Sequence, residues 1–300
     1  MVIQMNNLEI IKANPQGFCQ GVIRAMRITK KALSDKGTKR PIYILGSIVH
    51  NKNITNAFKR LGLIEIKEDD LKNISEGTII FTAHGISPKI KKLVVDKGLN
   101  MIDATCPMVE KIHNIVSEKS QEGYQIAFLG KANHEETKGI LDISSNVTLV
   151  KDDLTIENPQ SKCLLVCQTT LSFPKVLESY SILKNKYPQL EISNQICNAT
   201  FNRQKAAVRA SQNVDLAVVV GDKSSNNANT LAKTIEESCQ VKTILIESKD
   251  DLIGIDFSNI KKVSLTSAAS TPKIIVTEVE NFLLNEDTKK DINFLEYLKI

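Results

Sequence analysis

Within Ile102-Asp103-Ala104-Thr105-Cys106-Pro107 an apolar run that began at Gly98 ends, and an amphipathic run, Met108 to Val116, begins just after it. The cysteine therefore stands where a strand hands over to a helix. Proline suits a first helical turn because its missing N–H would have no intrahelical partner there and its φ is already helical, which puts Cys106 at or beside the N-cap. A thiol in that place feels the positive end of the helix dipole and ionises more readily, and the thiolate is the form that ligates metal.

The same construction occurs twice more. Leu8 to Ala13 runs into Asn14-Pro15-Gln16-Gly17-Phe18-Cys19-Gln20-Gly21, with a helical pattern from Val22 through Leu33. Leu190-Glu191-Ile192 runs into Asn194-Gln195-Ile196-Cys197-Asn198-Ala199-Thr200, with a helical pattern from Phe201 to Ala210. The cysteines are 87 and 91 residues apart. Such near-equal spacing reads as three structural repeats, each presenting one cysteine.

A chain of 300 residues, 42% hydrophobic and 24% charged, is expected to be soluble and globular, with room for two or three domains. No apolar run approaches the roughly 18 residues of a membrane span. The first residues, Met1 to Asn7, carry no basic region followed by an apolar core, so the expected location is cytoplasmic, which argues against structural disulfides among six cysteines. The net charge of +5 is spread along the chain, and aromatic content is 5% with no tryptophan. That is not the basic stripe with interleaved aromatics of a nucleic-acid binder, although the excess could help attract a small anion or an acidic protein.

Strand-type runs alternate with helical patterns: Ile42 to Leu45, Thr78 to Phe81, Gln125 to Leu129, Leu164 to Val166, Asp215 to Val220, Thr243 to Ile246 and Lys262 to Leu265. Glycines at 37, 62, 98 and 123 stop several of the intervening helices. The alternation predicts α/β layers with largely parallel sheets. Expected domain bounds are 20–104, 105–195, and 196–284 together with 1–19, followed by a charged tail over 285–300.

In parallel sheets ligands collect beyond the carboxyl ends of the strands. Polar residues at those places fall in register with the cysteines. The first, His50, His134 and Ser225, come 31, 28 and 28 residues after a cysteine; the second, His84, Thr169 and Ser270, come 34, 35 and 45 residues later still. Three of the four histidines occupy such positions, and His113, inside the helix after Cys106, is read as structural. Three α/β domains around a pseudo-three-fold axis, a trefoil, would turn all nine positions toward one central cavity.

Three thiolates from separate domains could hold zinc or an iron–sulfur cluster. Structural zinc sites usually bring cysteines in close pairs, and none of these is paired. A [4Fe-4S] cluster held by three cysteines leaves one iron without a protein ligand, a Lewis acid open to a hydroxyl and a store of electrons. Imidazoles, hydroxyls and amides around it would donate hydrogen bonds to a phosphate-bearing substrate.

Together these residues resemble the 4-hydroxy-3-methylbut-2-enyl diphosphate reductases, the last enzymes of the non-mevalonate isoprenoid pathway. The matching segments are Ala13 to Cys19, Val49-His50-Asn51, Ala83-His84-Gly85, Asp103 to Pro107, His134 to Gly139, Gln168 to Ser172, Ile196 to Thr200, Ser225 to Asn229 and Ala269 to Pro272, in the family's order. The resemblance implies reductive removal of an allylic hydroxyl from a diphosphate substrate, with two electrons and two protons, giving isopentenyl and dimethylallyl diphosphate. It implies Cys19, Cys106 and Cys197 as cluster ligands, and His50, His84, His134, Ser225, Asn227 and Ser270 as the diphosphate-binding set. Glu136 matches the proton donor and Thr169 the hydroxyl that orients the substrate alcohol and that donor.

This chain departs from the family's pattern in three places. Asn226 stands where a second serine is usual, and its amide can still donate to phosphate; Ala268 replaces a glycine; Glu135 replaces a proline beside Glu136. The His-x-Glu spacing assigns the acid to Glu136 and leaves Glu135 as a solvated neighbour. Cys163, Cys167 and Cys239 read as small buried apolar residues. No G-x-G-x-x-G or G-x-x-x-x-G-K-[ST] occurs, so electrons are expected from a separate donor, by resemblance a ferredoxin or flavodoxin. The chain is expected to be a monomer, since the repeats already supply a closed interior. Two rival readings are a non-redox iron–sulfur lyase of the quinolinate synthase type and a zinc-stabilised anion-binding module.

Overall fold

A computed structural model describes residues 8–193, 196–286 and 293–298. Asn194 and Gln195 of the third cysteine segment, Met1 to Asn7, and half of the expected charged tail lie outside the described residues.

The strands are β1 (Glu9–Lys12), β2 (Ile42–Leu45), β3 (Leu63–Ile66), β4 (Thr78–Phe81), β5 (Asn100–Asp103), β6 (Gln125–Leu129), β7 (Val147–Leu149), β8 (Cys163–Cys167), β9 (Glu191–Ser193), β10 (Leu216–Val220), β11 (Thr243–Ile246) and β12 (Lys262–Ser267). They make three four-stranded sheets, ordered β3-β2-β4-β5, β7-β6-β8-β9 and β11-β10-β12-β1. All pairings are parallel. The three orders are one pattern repeated. In each, the edge strand β5, β9 or β1 is the one that leads to Cys106, Cys197 or Cys19.

The helices that matter are α1 (Gln20–Ser34), α2 (Lys52–Arg60), α3 (Pro88–Asp96), α4 (Pro107–Gln121), α5 (Glu135–Leu141), α6 (Phe173–Lys186), α7 (Asn198–Ala210), α8 (Asn226–Cys239), α9 (Lys273–Leu283) and α10 (Phe294–Tyr297). Cys106 is the N-cap of α4, with Pro107 as its first helical residue, as the sequence predicts.

By contact density the chain divides into two compact units, one of residues 1–19, 49–54 and 198–300, the other of 20–48 and 55–197. The first contains the sheet of β10. Leu216, Val218 and Val220 of that strand pack with Ile275, Val276 and Val279 of α9, whereas Ala217 and Val219 pack with Ala207 of α7 and Leu231 and Ile235 of α8. A strand covered on both faces has no polar side to show, which is why Leu-Ala-Val-Val-Val carries no alternation. Phe294 and the buried Leu298 also join this unit, Phe294 against the α9 core. Part of the expected tail is therefore packed, because its few apolar residues have a surface to cover.

The second unit holds the other two sheets. Leu45, Ile79 and Phe81 form a core with Val94 of α3, and Ile126, Phe128, Leu164 and Val166 form another with Ile112 and Val116 of α4. Helix α4 thus leaves the edge of one sheet at Cys106 and packs on the next. Strands β3 and β7 are absent from the sequence-based set. Ile64 and Glu65 in β3 are exposed, and β7 has only three residues, so neither shows an apolar run.

Candidate active site

Each cysteine is held by the same hydrogen bond. The N–H of Cys106 donates to Ala83 O (3.0 Å), that of Cys197 to Thr169 O (3.2 Å) and that of Cys19 to Ala269 O (3.1 Å). Ala83 precedes His84 and Ala269 precedes Ser270, so every candidate ligand is tied to the loop that carries a second polar residue and follows the strand next to its own edge strand.

In the second unit, His134 is the N-cap of α5, and its Nδ1 accepts the N–H of Glu136 at 3.2 Å. That bond fixes the neutral tautomer, with the proton on Nε2, a donor suited to a phosphate oxygen. The rings of His84 and His134 meet edge to face with centroids 5.8 Å apart. His84 reaches this position over Gly85, whose φ of +80° only glycine adopts without strain; a Cβ there would lie 3.0 Å from Val109 Cγ1 and 3.1 Å from His113 Nε2.

Glu136 is 1% exposed. Thr169, also buried, donates its N–H to Oε1 and its hydroxyl to Oε2, each at 2.8 Å. Burial pushes the Glu136 carboxyl up to about 7, although both Thr169 hydrogen bonds pull it down. Neighbouring Glu135 is exposed and paired with Lys138 at 3.2 Å. The two adjacent carboxylates are thus separated by environment, one dry and one solvated. His113 is half-buried behind Gly85 and Gly139, and loss of solvent around its ring holds it down at about 4.

In the first unit, Ser225 caps α8, its Oγ accepting the N–H of Ala228 at 3.3 Å, and lies 3.4 Å from the Oγ of Ser270. Asn227 Oδ1 accepts the N–H of Ala269 at 2.9 Å, which turns the amide's donor end to other partners. Asn226 is the first residue of α8. His50 stands in the loop before α2, next to Asn51, whose Oδ1 accepts the N–H of Ile54 at 3.1 Å.

The geometry adds residues that sequence reading does not single out. Gln168 Oε1 accepts the N–H of Lys131 at 3.0 Å and its Nε2 donates to Thr170 Oγ1 at 2.9 Å, bracing the loop that leads to His134. Arg24 Nη1 donates to Thr105 O at 2.7 Å, beside Cys106. Arg203 is buried beneath the Cys19 loop. Backbone carbonyls far away in sequence are their partners, and no local pattern marks such a contact.

The donor set fits an iron–sulfur cluster. Cys106 occupies the N-cap of α4, and Cys19 and Cys197 stand immediately before the first residues of α1 and α7, so all three thiols lie at helix starts. Among the described residues no three His, Cys, Asp or Glu side chains gather around a single metal ion. A cluster takes one thiolate per iron and does not need that arrangement. Cys163 and Cys167 are buried, and burial pushes the Cys163 thiol up to about 11, which suits a structural role. No helix among the described residues is long and apolar enough to cross a membrane.

Residues 10–284 match the protein family described as LytB protein. A 4-hydroxy-3-methylbut-2-enyl diphosphate reductase of Halalkalibacterium halodurans is 40% identical over 291 residues, covering 94% of this chain and 93% of that protein. One from a Geobacillus species is 42% identical over 289 residues, 92% of this chain and 90% of that protein. Among solved structures, the Plasmodium falciparum E-1-hydroxy-2-methyl-but-2-enyl-4-diphosphate reductase matches with a TM-score of 0.86 and 34% identity, covering 98% of this chain and 99% of that one. A second, described as the terminal enzyme of the non-mevalonate pathway, gives a TM-score of 0.65 at 30% identity over 93% of this chain and 99% of that one.

Proposed function

The chain belongs to the LytB family of 4-hydroxy-3-methylbut-2-enyl diphosphate reductases, and from that membership we propose the division of labour among its residues. The reaction is reductive removal of the allylic hydroxyl of (E)-4-hydroxy-3-methylbut-2-enyl diphosphate, taking two electrons and two protons and yielding isopentenyl and dimethylallyl diphosphate. The family's enzymes are iron–sulfur proteins. In this chain Cys19, Cys106 and Cys197 would hold a [4Fe-4S] cluster, which when bound supplies the electrons and one iron open to the alcohol oxygen.

The observation that carries the reading is the pair Glu136 and Thr169. A carboxylic acid kept dry, with its proton held to about pH 7, is a general acid poised for a leaving hydroxyl. Thr169 Oγ1 can pass between donor and acceptor as Glu136 gains or loses that proton, so one hydroxyl can orient both the acid and the substrate alcohol. His134, with its proton on Nε2, joins His84 and His50 in gripping the diphosphate, and Ser225, Asn226, Asn227 and Ser270 add hydroxyl and amide donors.

Electrons come from a ferredoxin or flavodoxin, the enzyme works as a monomer, and a cytoplasmic setting keeps its thiols reduced. Anaerobic turnover of hydroxymethylbutenyl diphosphate with reduced methyl viologen tests the reading. Glu136→Gln should retain iron and sulfide while losing about 10²- to 10⁴-fold in kcat, and serine at Cys19, Cys106 or Cys197 should lose both cluster and turnover. Turnover that is unchanged without reductant would return the lyase reading, and a colourless protein with zinc and no iron would end this one.

A further inference from the structure

Cys19, Ser225 and Ser270 account for part of the first unit's polar interior and leave one buried cation unexplained. Arg203, on α7, is 3% exposed. Its Nη1 donates to Pro15 O (3.1 Å) and Ser267 O (2.8 Å), and its Nη2 to Gly17 O (2.8 Å). Its Nε is buried without an acceptor. Among the described residues no carboxylate pairs with it. Taking a guanidinium out of water is expensive, and neutral carbonyls compensate only in part. A structure that keeps such a charge has a use for it nearby.

Its surroundings show what that use is. The three carbonyls belong to two loops: Asn14 to Cys19, and Ser267 to Ser270. These loops are also joined by Gly17 N–H to Ser267 Oγ (2.9 Å) and Cys19 N–H to Ala269 O (3.1 Å), while Gln16 Nε2 reaches back to Leu265 O (2.9 Å). Arg203 holds both loops through a charged group. Burial pulls the guanidinium's pKa below its ordinary value, and Cys19 is the one neighbouring ionisable group that counters this.

We propose that Arg203 is a positioning residue that locks the Cys19 loop to the Ser270 loop and lends its positive charge to the thiolate of Cys19 and the cluster that thiolate holds. The inference rests on the reading of Cys19 as a cluster ligand and Ser270 as a diphosphate contact. It adds that the two are set by a single guanidinium, so that cluster retention and substrate affinity change together when it is altered.

The test uses the anaerobically loaded enzyme, comparing the parent with Arg203→Lys and Arg203→Met. The readouts are iron and sulfide content, the rate of cluster loss to an iron chelator, the midpoint potential in a dye-mediated titration, and KM against kcat. Lysine keeps the charge and cannot reach three carbonyls. It should lose the cluster about 10-fold faster and raise KM by about the same factor, with its potential near the parent's. Methionine should show the same losses and, in addition, a more negative potential, because an anionic cluster resists further reduction once its neighbouring cation is gone. Two loaded variants with the parent's chelator resistance, potential and KM would overturn the inference alone. If the cluster-free form of Arg203→Lys also fails to fold by circular dichroism, the residue is a core element and the inference is likewise overturned. A parent that takes up no iron and sulfide would instead bring down the reading of Cys19 on which it rests.

Discussion

Thr169 clasps both oxygens of Glu136, its N–H on Oε1 and its hydroxyl on Oε2, each at 2.8 Å. The carbonyl of the same threonine accepts the N–H of Cys197 at 3.2 Å. One residue therefore links the candidate acid to a candidate cluster ligand through three atoms of its own. Thr169→Val removes only the hydroxyl. Glu136 then loses a hydrogen bond that lowers its pKa, so the alkaline limb of the pH–kcat profile should move to higher pH. Turnover should fall by about 10²-fold as the alcohol loses its guide. Thr169→Ser should restore most of both. A valine variant with the parent's profile would remove Thr169 from the mechanism.

Stability should depend on pH through Glu136 with a sign opposite to that of an ordinary carboxylate. The folded chain keeps this proton to about pH 7, whereas the ordinary value is 4.5. Between those values only the folded state holds it, so the contribution is full below 4.5 and is lost as pH rises through about 7. The total is on the order of 3 kcal/mol. His113 runs the other way, since burial keeps it neutral down to about 4 against an ordinary 6.5; its contribution is full above 6.5 and lost as pH falls through about 4. From about 4.5 to 6.5 the two contributions oppose each other, so melting of the cluster-free protein should decline only as pH rises from about 6.5 through about 7, and Glu136→Gln should remove that decline. An unchanged slope in the glutamine variant would assign it to other groups.

Much of this architecture is legible in the chain because its signals are local. Pro107 marks the helix start that makes Cys106 an N-cap, and the apolar runs of β2, β4, β6 and β11 coincide residue for residue with their strands. Glu136 is distinguishable from Glu135 by spacing from His134, and the structure buries the one and exposes the other. What is not legible works at a distance or without a side-chain pattern. Strand β3 is flanked by one neighbour only and shows Ile64 and Glu65 to solvent, so its register comes from pairing with β2 and not from its own periodicity. Arg203 looks like a solvated helix charge until Gly17, 186 positions away, supplies its acceptor.

Gly85→Ala should injure both stability and substrate affinity. The φ of +80° strains any L side chain, and the new Cβ would press on Val109 Cγ1 at 3.0 Å and His113 Nε2 at 3.1 Å, neither of which is the end of a flexible chain. Relief requires the loop to shift, and His84 is the next residue. We expect a loss of about 1–3 kcal/mol in thermal or denaturant unfolding together with a raised KM, while the cluster loads normally. Retention of the parent's KM at reduced stability would separate Gly85 from the diphosphate site.

Ser225 and Ser270 have hydroxyls 3.4 Å apart, yet their replacement by alanine should give different results. Ser225 Oγ also caps α8 through the N–H of Ala228, so Ser225→Ala should lose about 0.5–2 kcal/mol of stability as well as substrate affinity. Ser270 has no such capping duty, and Ser270→Ala should raise KM with little change in melting. Because both hydroxyls would serve the same phosphate oxygens, the double variant should raise KM by less than the product of the single effects. Strictly multiplicative effects would mean that the two serines contact the substrate independently, and an unchanged KM in Ser270→Ala would exclude it from the diphosphate site while leaving the capping role of Ser225 intact.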